Sequence, residues 1–529
     1  MTLTAATGAP SAKTSSSQRR APLGLLLVSG LVSLLVLVPL GFSVFGALSV
    51  PPAEATALLF RPIVGQLLVN TVSLVVATTV LCGLLGLFAA YTVERYQFRG
   101  RRLFATLFAV PLAIPAFITS YAWVSISPLF EQFGGALLVL SCSYFPFVYL
   151  PVAAALRGLD PALEETANAL GTGGWRCFFR VVLPQLRPAL YGGMLLVALN
   201  SLVEFGAFSL LRFRTFTTQI FAEYRTGFNG PQASLLAIVL VGLCIVCLLL
   251  EARLRGGAQY TRVGRSMRRR ARTVLAGWAA LPVAGLSTLL VLATIGVPFG
   301  MIMYWLTQHN SAAVSPVVPS PELLISGTAS SIGLGAAGAA VTLVLAMPLA
   351  FLASRYRGPL ITLIERAAYL SQGVPGIVIA LSLISLTVHN FRPLYQTPYL
   401  LVLAYAILFL PLAIVSMRAT FAQLQPSLEE AGRSLGLSWP NVALRILLPL
   451  AAPGIGAAAA LVFISITTEL TATLLLAPIG VHTLATQIWA DTSTLAFAAA
   501  APYAALMTGL SLVSTWTLTR QFGRSSMMG

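Results

Sequence analysis

Six of the 15 acidic residues stand where a carboxylate needs a reason. Glu164-Glu165 and Glu429-Glu430 open two short segments that echo each other, and Glu204 and Glu469 fall inside long apolar runs. A carboxylate near the centre of a bilayer costs about 2.5–3.5 kcal/mol on insertion scales, so one found there faces a cavity, a partner or a path. Carboxylate oxygen suits a hard cation, which makes transient ligation in a path the sharper reading of Glu204 and Glu469. A hydrogen-bonded structural or gating role is the other. Little else carries chemistry. Gly333–Gly338 fits GxGxxG but lies in an apolar run with no preceding strand, so it reads as close helix packing through small residues. Cys244 and Cys247 form a CxxC within another apolar run, and the five cysteines are odd in number and scattered, which is no disulfide framework. His309, His389 and His482 stand alone, without the neighbours zinc needs. No catalytic constellation is present, and the chain reads as a non-enzyme.

The elements that must hold these glutamates are set by composition. Hydrophobic residues make up 57% and charged residues 9% of 529, against about 45–50% and 25% in soluble proteins. A soluble fold of this size could not cover its surface with so few charges. Runs long enough to span a bilayer occur at 22–49, 64–91, 103–125, 134–156, 189–210 and 232–250, and again at 273–305, 324–353, 361–388, 398–417, 452–477 and 495–518. Residues 1–20, rich in Ser, Thr and Ala, are expected to be a disordered tail.

The net charge of +17 sorts onto this topology. Of 32 basic residues, 27 fall in one set of alternate loops and five (Arg61, Arg212, Arg214, Arg225 and Arg392) in the other. The positive-inside rule then puts both termini in the cytoplasm. Nucleic-acid binding, the other common meaning of a basic chain, is excluded by this placement between apolar runs. The densest run, Arg262 to Arg272, either meets anionic lipid headgroups or simply retains the linker between halves inside the cell. Arg212, Arg214 and Arg225 face outward, either toward acidic residues of a partner or toward solvent.

The two halves repeat. Residues 160–190 and 425–455 match without gaps at an offset of 265, with ten identities that include Glu164/Glu429, Glu165/Glu430, Leu170/Leu435, Gly171/Gly436 and Pro184/Pro449. Glu204/Glu469 share that offset, while Arg95-Tyr96 and Pro115 match Arg355-Tyr356 and Pro375 at 260. Both copies of the segment lie in cytoplasmic loops, so the halves are parallel, related by an axis along the membrane normal. Each reads as helix, turn, helix: Asp160 caps, Pro161 begins, Glu164 and Glu165 favour the positive end of the dipole, and Gly171 ends the helix. A short rigid helix projecting below the bilayer is a docking element. The expected fold is all-α and polytopic, about 12 transmembrane helices in two parallel six-helix repeats. Residues 21–252 form the first half with its loop at 160–188, 253–272 a basic linker, and 273–529 the second half with its loop at 425–453.

The loops resemble the E-A-A-x3-G-x9-I-x-L-P motif of permease subunits of type I ABC importers. Glu165-Thr166-Ala167 leads to Gly171 and to Val181-Val182-Leu183-Pro184; Glu430-Ala431-Gly432 leads to Gly436 and to Ile446-Leu447-Leu448-Pro449. Thr166, Gly432 and Val181 depart from the motif but keep its spacing. The resemblance implies that Glu164, Glu165, Ala167, Gly171, Leu183 and Pro184, with Glu429, Glu430, Ala431, Gly436, Leu448 and Pro449, couple the chain to a pair of ATPase subunits. It also implies a substrate-binding protein outside and a bacterial inner-membrane location. ATP-Mg is expected on the ATPase and no cofactor on this chain, because a P-loop needs a lysine and Lys13, in the tail, is the only one. Two fused halves, with EFGAFSLLRFRTFTTQIF at 204–221, are most similar to the ferric-iron permeases. Thiamine permeases share the fused architecture, and an ion-coupled secondary transporter would leave the paired loops unexplained.

Overall fold

The computed structural model describes residues 21–227, 229–255, 273–274, 280–308 and 319–525. The tail and most of the basic linker, with Lys13, Arg19, Arg20, the 262–272 run and His309, lie outside the described residues. In the first half the apolar runs become α1 (Leu23–Leu48), α2 (Pro62–Arg95), α3 (Phe133–Gly158), α5 (Gly174–Val203) and α8 (Gly230–Arg255), with α4 (Pro161–Ala169), α6 (Gly206–Leu210) and α7 (Phe216–Arg225) between them. The second half follows with α9 (Ala280–Thr307), α10 (Pro321–Arg355), α11 (Pro398–Gln423), α12 (Pro426–Ser434), α13 (Trp439–Thr467), α14 (Thr471–Leu476), α15 (Leu484–Ser493) and α16 (Phe497–Ser525).

Among the described residues ten helices are long and apolar enough to cross a membrane, and the remaining two expected spans are bent. Arg101–Ala113 turns by 93° into Ala116–Val124, and Pro359–Gly373 turns by 104° into Gly376–Asn390. The breaks fall at the repeated prolines, Pro115 and Pro375, which hold the preceding residue extended (Ile114 φ −104, ψ 112; Val374 φ −103, ψ 119). Residues 273–274, expected to start the seventh span, instead form a two-residue parallel bridge with Tyr96–Gln97.

The core couples the halves through exchanged first helices. α1 packs on the bent pair of the second half, with Ser33 Oγ donating to Ile364 O (2.9 Å) and Ser43 Oγ 2.5 Å from Ser382 Oγ. In return α9 packs on Ala116–Val124, where Ile302 joins the buried cluster of Phe117, Ile118 and Tyr121. With no hydrophobic drive between helices in lipid, close approach and buried hydroxyl bonds hold such contacts. Gly335 and Gly338 show the approach: a Cβ there would sit 2.7 Å from Thr467 Cγ2 and 2.8 Å from Ile466 Cδ1. The GxGxxG is packing.

Candidate functional site

The coupling segments are built from the same local rules twice. Asp160 accepts the amide of Ala162 (3.0 Å) and Pro161 begins α4; in the second copy Pro426 begins α12 without a side-chain cap. Each helix then closes on a glycine in the left-handed region, Gly171 at φ +80 and Gly436 at φ +83. The amide of Gly171 donates to Asn168 O (3.0 Å) and that of Thr172 to Ala167 O (3.1 Å); Gly436 and Leu437 donate to Arg433 O and Gly432 O at 3.0 and 3.1 Å. These paired bonds are a Schellman motif, and they explain the motif's spacing. The third residue of E-A-A supplies the far carbonyl, and the glycine four residues on must turn left-handed. That third residue is also buried: Ala167 is 8% exposed, and a Cβ on Gly432 would lie 2.7 Å from Ile446 Cδ1. Ala431, offered by the motif, is exposed, so Gly432 is the packed counterpart of Ala167. Glu165 and Glu430 are exposed, and Leu170 and Leu435 project at 79% and 82% exposure.

Glu164 and Glu429 point inward. Arg95, the last residue of α2, donates from Nη2 to Glu164 Oε1 at 2.5 Å, and Arg355, the last of α10, brings Nε to 2.8 Å from Glu429 Oε1. Side-chain exposure is 10% and 4% in the first pair and 11% and 13% in the second. Each pair ties a coupling helix to the end of a long span. Sequence reasoning counted Arg95 and Arg355 as topology charges and missed this. The signal was available in the matched Arg-Tyr of both halves, at an offset five residues short of the glutamates'.

Leu183, Pro184, Leu448 and Pro449 lie at the other end of the motif, away from the projecting helix. A proline inside a continuous helix clashes with the carbonyl four residues back. Both chains of turns widen to π geometry just before it, at Phe178–Val182 and Ala443–Leu447. These prolines set how the amphipathic segment enters its span.

Glu204 and Glu469, expected within continuous spans, mark breaks instead. α5 ends at Val203 and α13 at Thr467. Each carboxylate caps the short helix that follows: Oε1 of Glu204 accepts from Ala207 N (2.8 Å) and Oε1 of Glu469 from Ala472 N (3.0 Å). The break therefore satisfies both the freed amides and the carboxylate, the condition for irregular backbone at membrane depth. The breaks meet across the halves, for a Cβ on Gly206 would lie 2.8 Å from Leu470 Cδ2. Beyond that the two glutamates differ. Tyr144 donates to Glu204 Oε2 (2.5 Å), whereas the position matching Tyr144 is Phe409. Glu204 lines a 290 Å³ cavity between the halves, walled by Pro111, Ile114–Phe117, Tyr144 and Asn200 on one side and Phe409, Ser465 and Thr468 on the other. Glu469 is absent from that wall and lines a crevice of only 10 Å³ with Tyr405 and Thr483.

Among the described residues no three His, Cys, Asp or Glu side chains cluster as metal ligands. Cys244 is a buried thiol outside any disulfide, His389 Nδ1 lies 2.8 Å from Ser385 O of its own helix, and Arg212 pairs with Glu131 at 3.6 Å.

A twofold-repeated helical membrane bundle with two equivalent short loop helices and a cavity between its halves is the architecture of a transport permease. The family of binding-protein-dependent transport system inner membrane components matches residues 83–255 and 343–522, one match in each half. This chain belongs to that family. Over 504 residues it is 38% identical to the Fe(3+)-transport system permease protein FbpB 2 of Haemophilus influenzae, covering 95% of this chain and 99% of the relative. It is also 30% identical over 241 residues to the sulfate transport system permease protein CysT of Escherichia coli (41% of this chain, 86% of the relative). A match to the Escherichia coli molybdenum transport system permease protein ModB is 29% over 188 residues (31% and 82%).

Proposed function

We propose that this permease carries ferric iron across the bacterial inner membrane, driven by ATP hydrolysis on separate subunits. The observation that carries the substrate choice is the cavity between the halves: it holds the carboxylate of Glu204 and, among the described residues, no basic side chain on its walls. Such a lining attracts a cation and repels sulfate or molybdate. Near-full-length similarity to a ferric permease supports the same choice. The coupling segments α4 and α12, alike in their Schellman ends, buried third residue and projecting leucine, suit two copies of one ATPase groove, and so a homodimer carrying ATP-Mg. They lie on the arginine-rich side, which the positive-inside rule assigns to the cytoplasm together with both termini. A substrate-binding protein delivers cargo to the opposite face, and closure of the ATPases rocks the halves between outward-open and inward-open states. In this reading Glu204 serves the path, while Glu469 holds the matching break in the other half as a structural carboxylate.

The test is ATP-dependent uptake in proteoliposomes with the cognate ATPase and binding protein, comparing ferric iron, thiamine and sulfate. Ferric uptake that needs all three components is expected. Stimulation of ATP hydrolysis by binding protein loaded with thiamine or sulfate, but not with iron, refutes the substrate.

A further inference from the structure

The walls of the cavity at Glu204 are polar in a particular way. Ser465 Oγ donates to Leu461 O (3.0 Å), Thr468 Oγ1 to Ile464 O (2.9 Å), and Asn200 Nδ2 to Leu196 O (2.8 Å). Tyr144 spends its proton on Glu204. The three hydroxyl donors are thus committed to the protein, leaving oxygen lone pairs as what they can offer a ligand, while Asn200 keeps its Oδ1 and a second N–H. Ser143, on the same wall, is 3% exposed, and its Oγ has no hydrogen-bond partner. Buried hydroxyls are ordinarily satisfied, so an orphan on a residue that lines a cavity marks a place where something else can supply the partner.

We propose that Glu204, Ser143 and Asn200 of the first half, with Ser465 and Thr468 of the second, form a single transient coordination site for a partly dehydrated hard cation. The inference rests on the ferric reading above and deepens it by naming the neutral ligands. Oxygen donors of this kind suit hard ions. With one carboxylate, the site compensates one charge of a trivalent ion and so holds it loosely, as passage requires. The site is single because the repeat is broken here. The positions matching Ser143 and Tyr144 are Leu408 and Phe409, and Glu469 lies off the wall. Since ligands come from both halves, rocking them apart disassembles the site and releases the ion.

The experiment uses the complete reconstituted transporter, with ferric iron and, as a redox-inert trivalent probe, gallium(III). Ser143→Ala with Asn200→Leu is expected to lower uptake of both ions at least tenfold while ATP hydrolysis stimulated by loaded binding protein stays within twofold of the wild type. Uptake within twofold of the wild type at intact stimulation overturns the site and leaves the ferric reading standing. A wild-type transporter that carries neither ion fails the ferric reading itself. If the double variant also loses stimulated hydrolysis, the single variants decide. Uptake lowered by Ser143→Ala and kept by Asn200→Asp, which retains the oxygen, supports the site; the opposite order overturns it.

Discussion

Replacing Gly171 and Gly436 together by valine is expected to cripple docking of the ATPase without unfolding the membrane bundle. Both glycines sit at positive φ, +80 and +83, and a Cβ built on either meets nothing within 4 Å. Crowding inside the protein therefore contributes nothing, and the whole penalty is the backbone conformation. For an ordinary L-residue that is about 1–2 kcal/mol, larger for a β-branched one. The two segments share no partner, so their costs add. A total of about 2–4 kcal/mol corresponds to roughly a 30- to 1,000-fold loss in the population with both Schellman ends formed. Asparagine tolerates the left-handed region far better, so Gly171→Asn with Gly436→Asn should bind within several-fold of the wild type. Titrating the purified permease with its ATPase measures both. Asparagine variants as defective as the valine ones would refute the conformational argument and show that the docking groove needs the empty space. Valine variants that dock normally would remove these loops from coupling altogether.

The remaining expectations concern the same two sites. Leu170→Ala and Leu435→Ala remove side chains that are 79% and 82% exposed; each should weaken ATPase binding by about 1.5–3 kcal/mol if fully covered in the complex, with the thermal stability of the isolated permease unchanged. Glu164→Ala strands the Arg95 guanidinium in a buried setting, at a cost of about 3–5 kcal/mol. It should raise the ATP hydrolysed per ion transported, and exchanging the pair as Arg95→Glu with Glu164→Arg should recover part of the coupling. Glu204→Gln keeps the acceptor for Ala207 but removes the charge from the cavity, so ferric uptake should fall tenfold or more. Glu469→Gln, off the cavity wall, should leave it within threefold; equal losses in the two variants would contradict the assigned asymmetry.

The class of the protein was legible in one dimension because its determinants are local. Apolar length, arginine sorting and a repeat at fixed offset depend only on residues near each other in sequence. The helix-turn-helix form of the repeated loops was legible for the same reason: Ala167 to Gly171 and Gly432 to Gly436 are the span of one helix end, so the hydrogen bonding of a Schellman turn writes itself into the spacing. Even the breaks at Pro115 and Pro375 were present as matched prolines, although averaged apolarity ran straight through them.

Contacts between distant residues were another matter. Arg95 already had a sufficient local meaning as a topology charge, and the matched Arg-Tyr that marks it as part of the repeat does not name its partner, Glu164, 69 residues away. Glu204 and Glu469 are equivalent in the repeat, yet only one reaches the cavity, because neighbouring helices supply Ser143 and Tyr144 on one side and Leu408 and Phe409 on the other. The sequence by itself determined a doubled helical permease with two repeated loop helices. Which carboxylate reaches the cavity between the halves, and which arginines hold the loop helices, was decided by tertiary packing, since burial and pairing depend on what the other helices bring alongside.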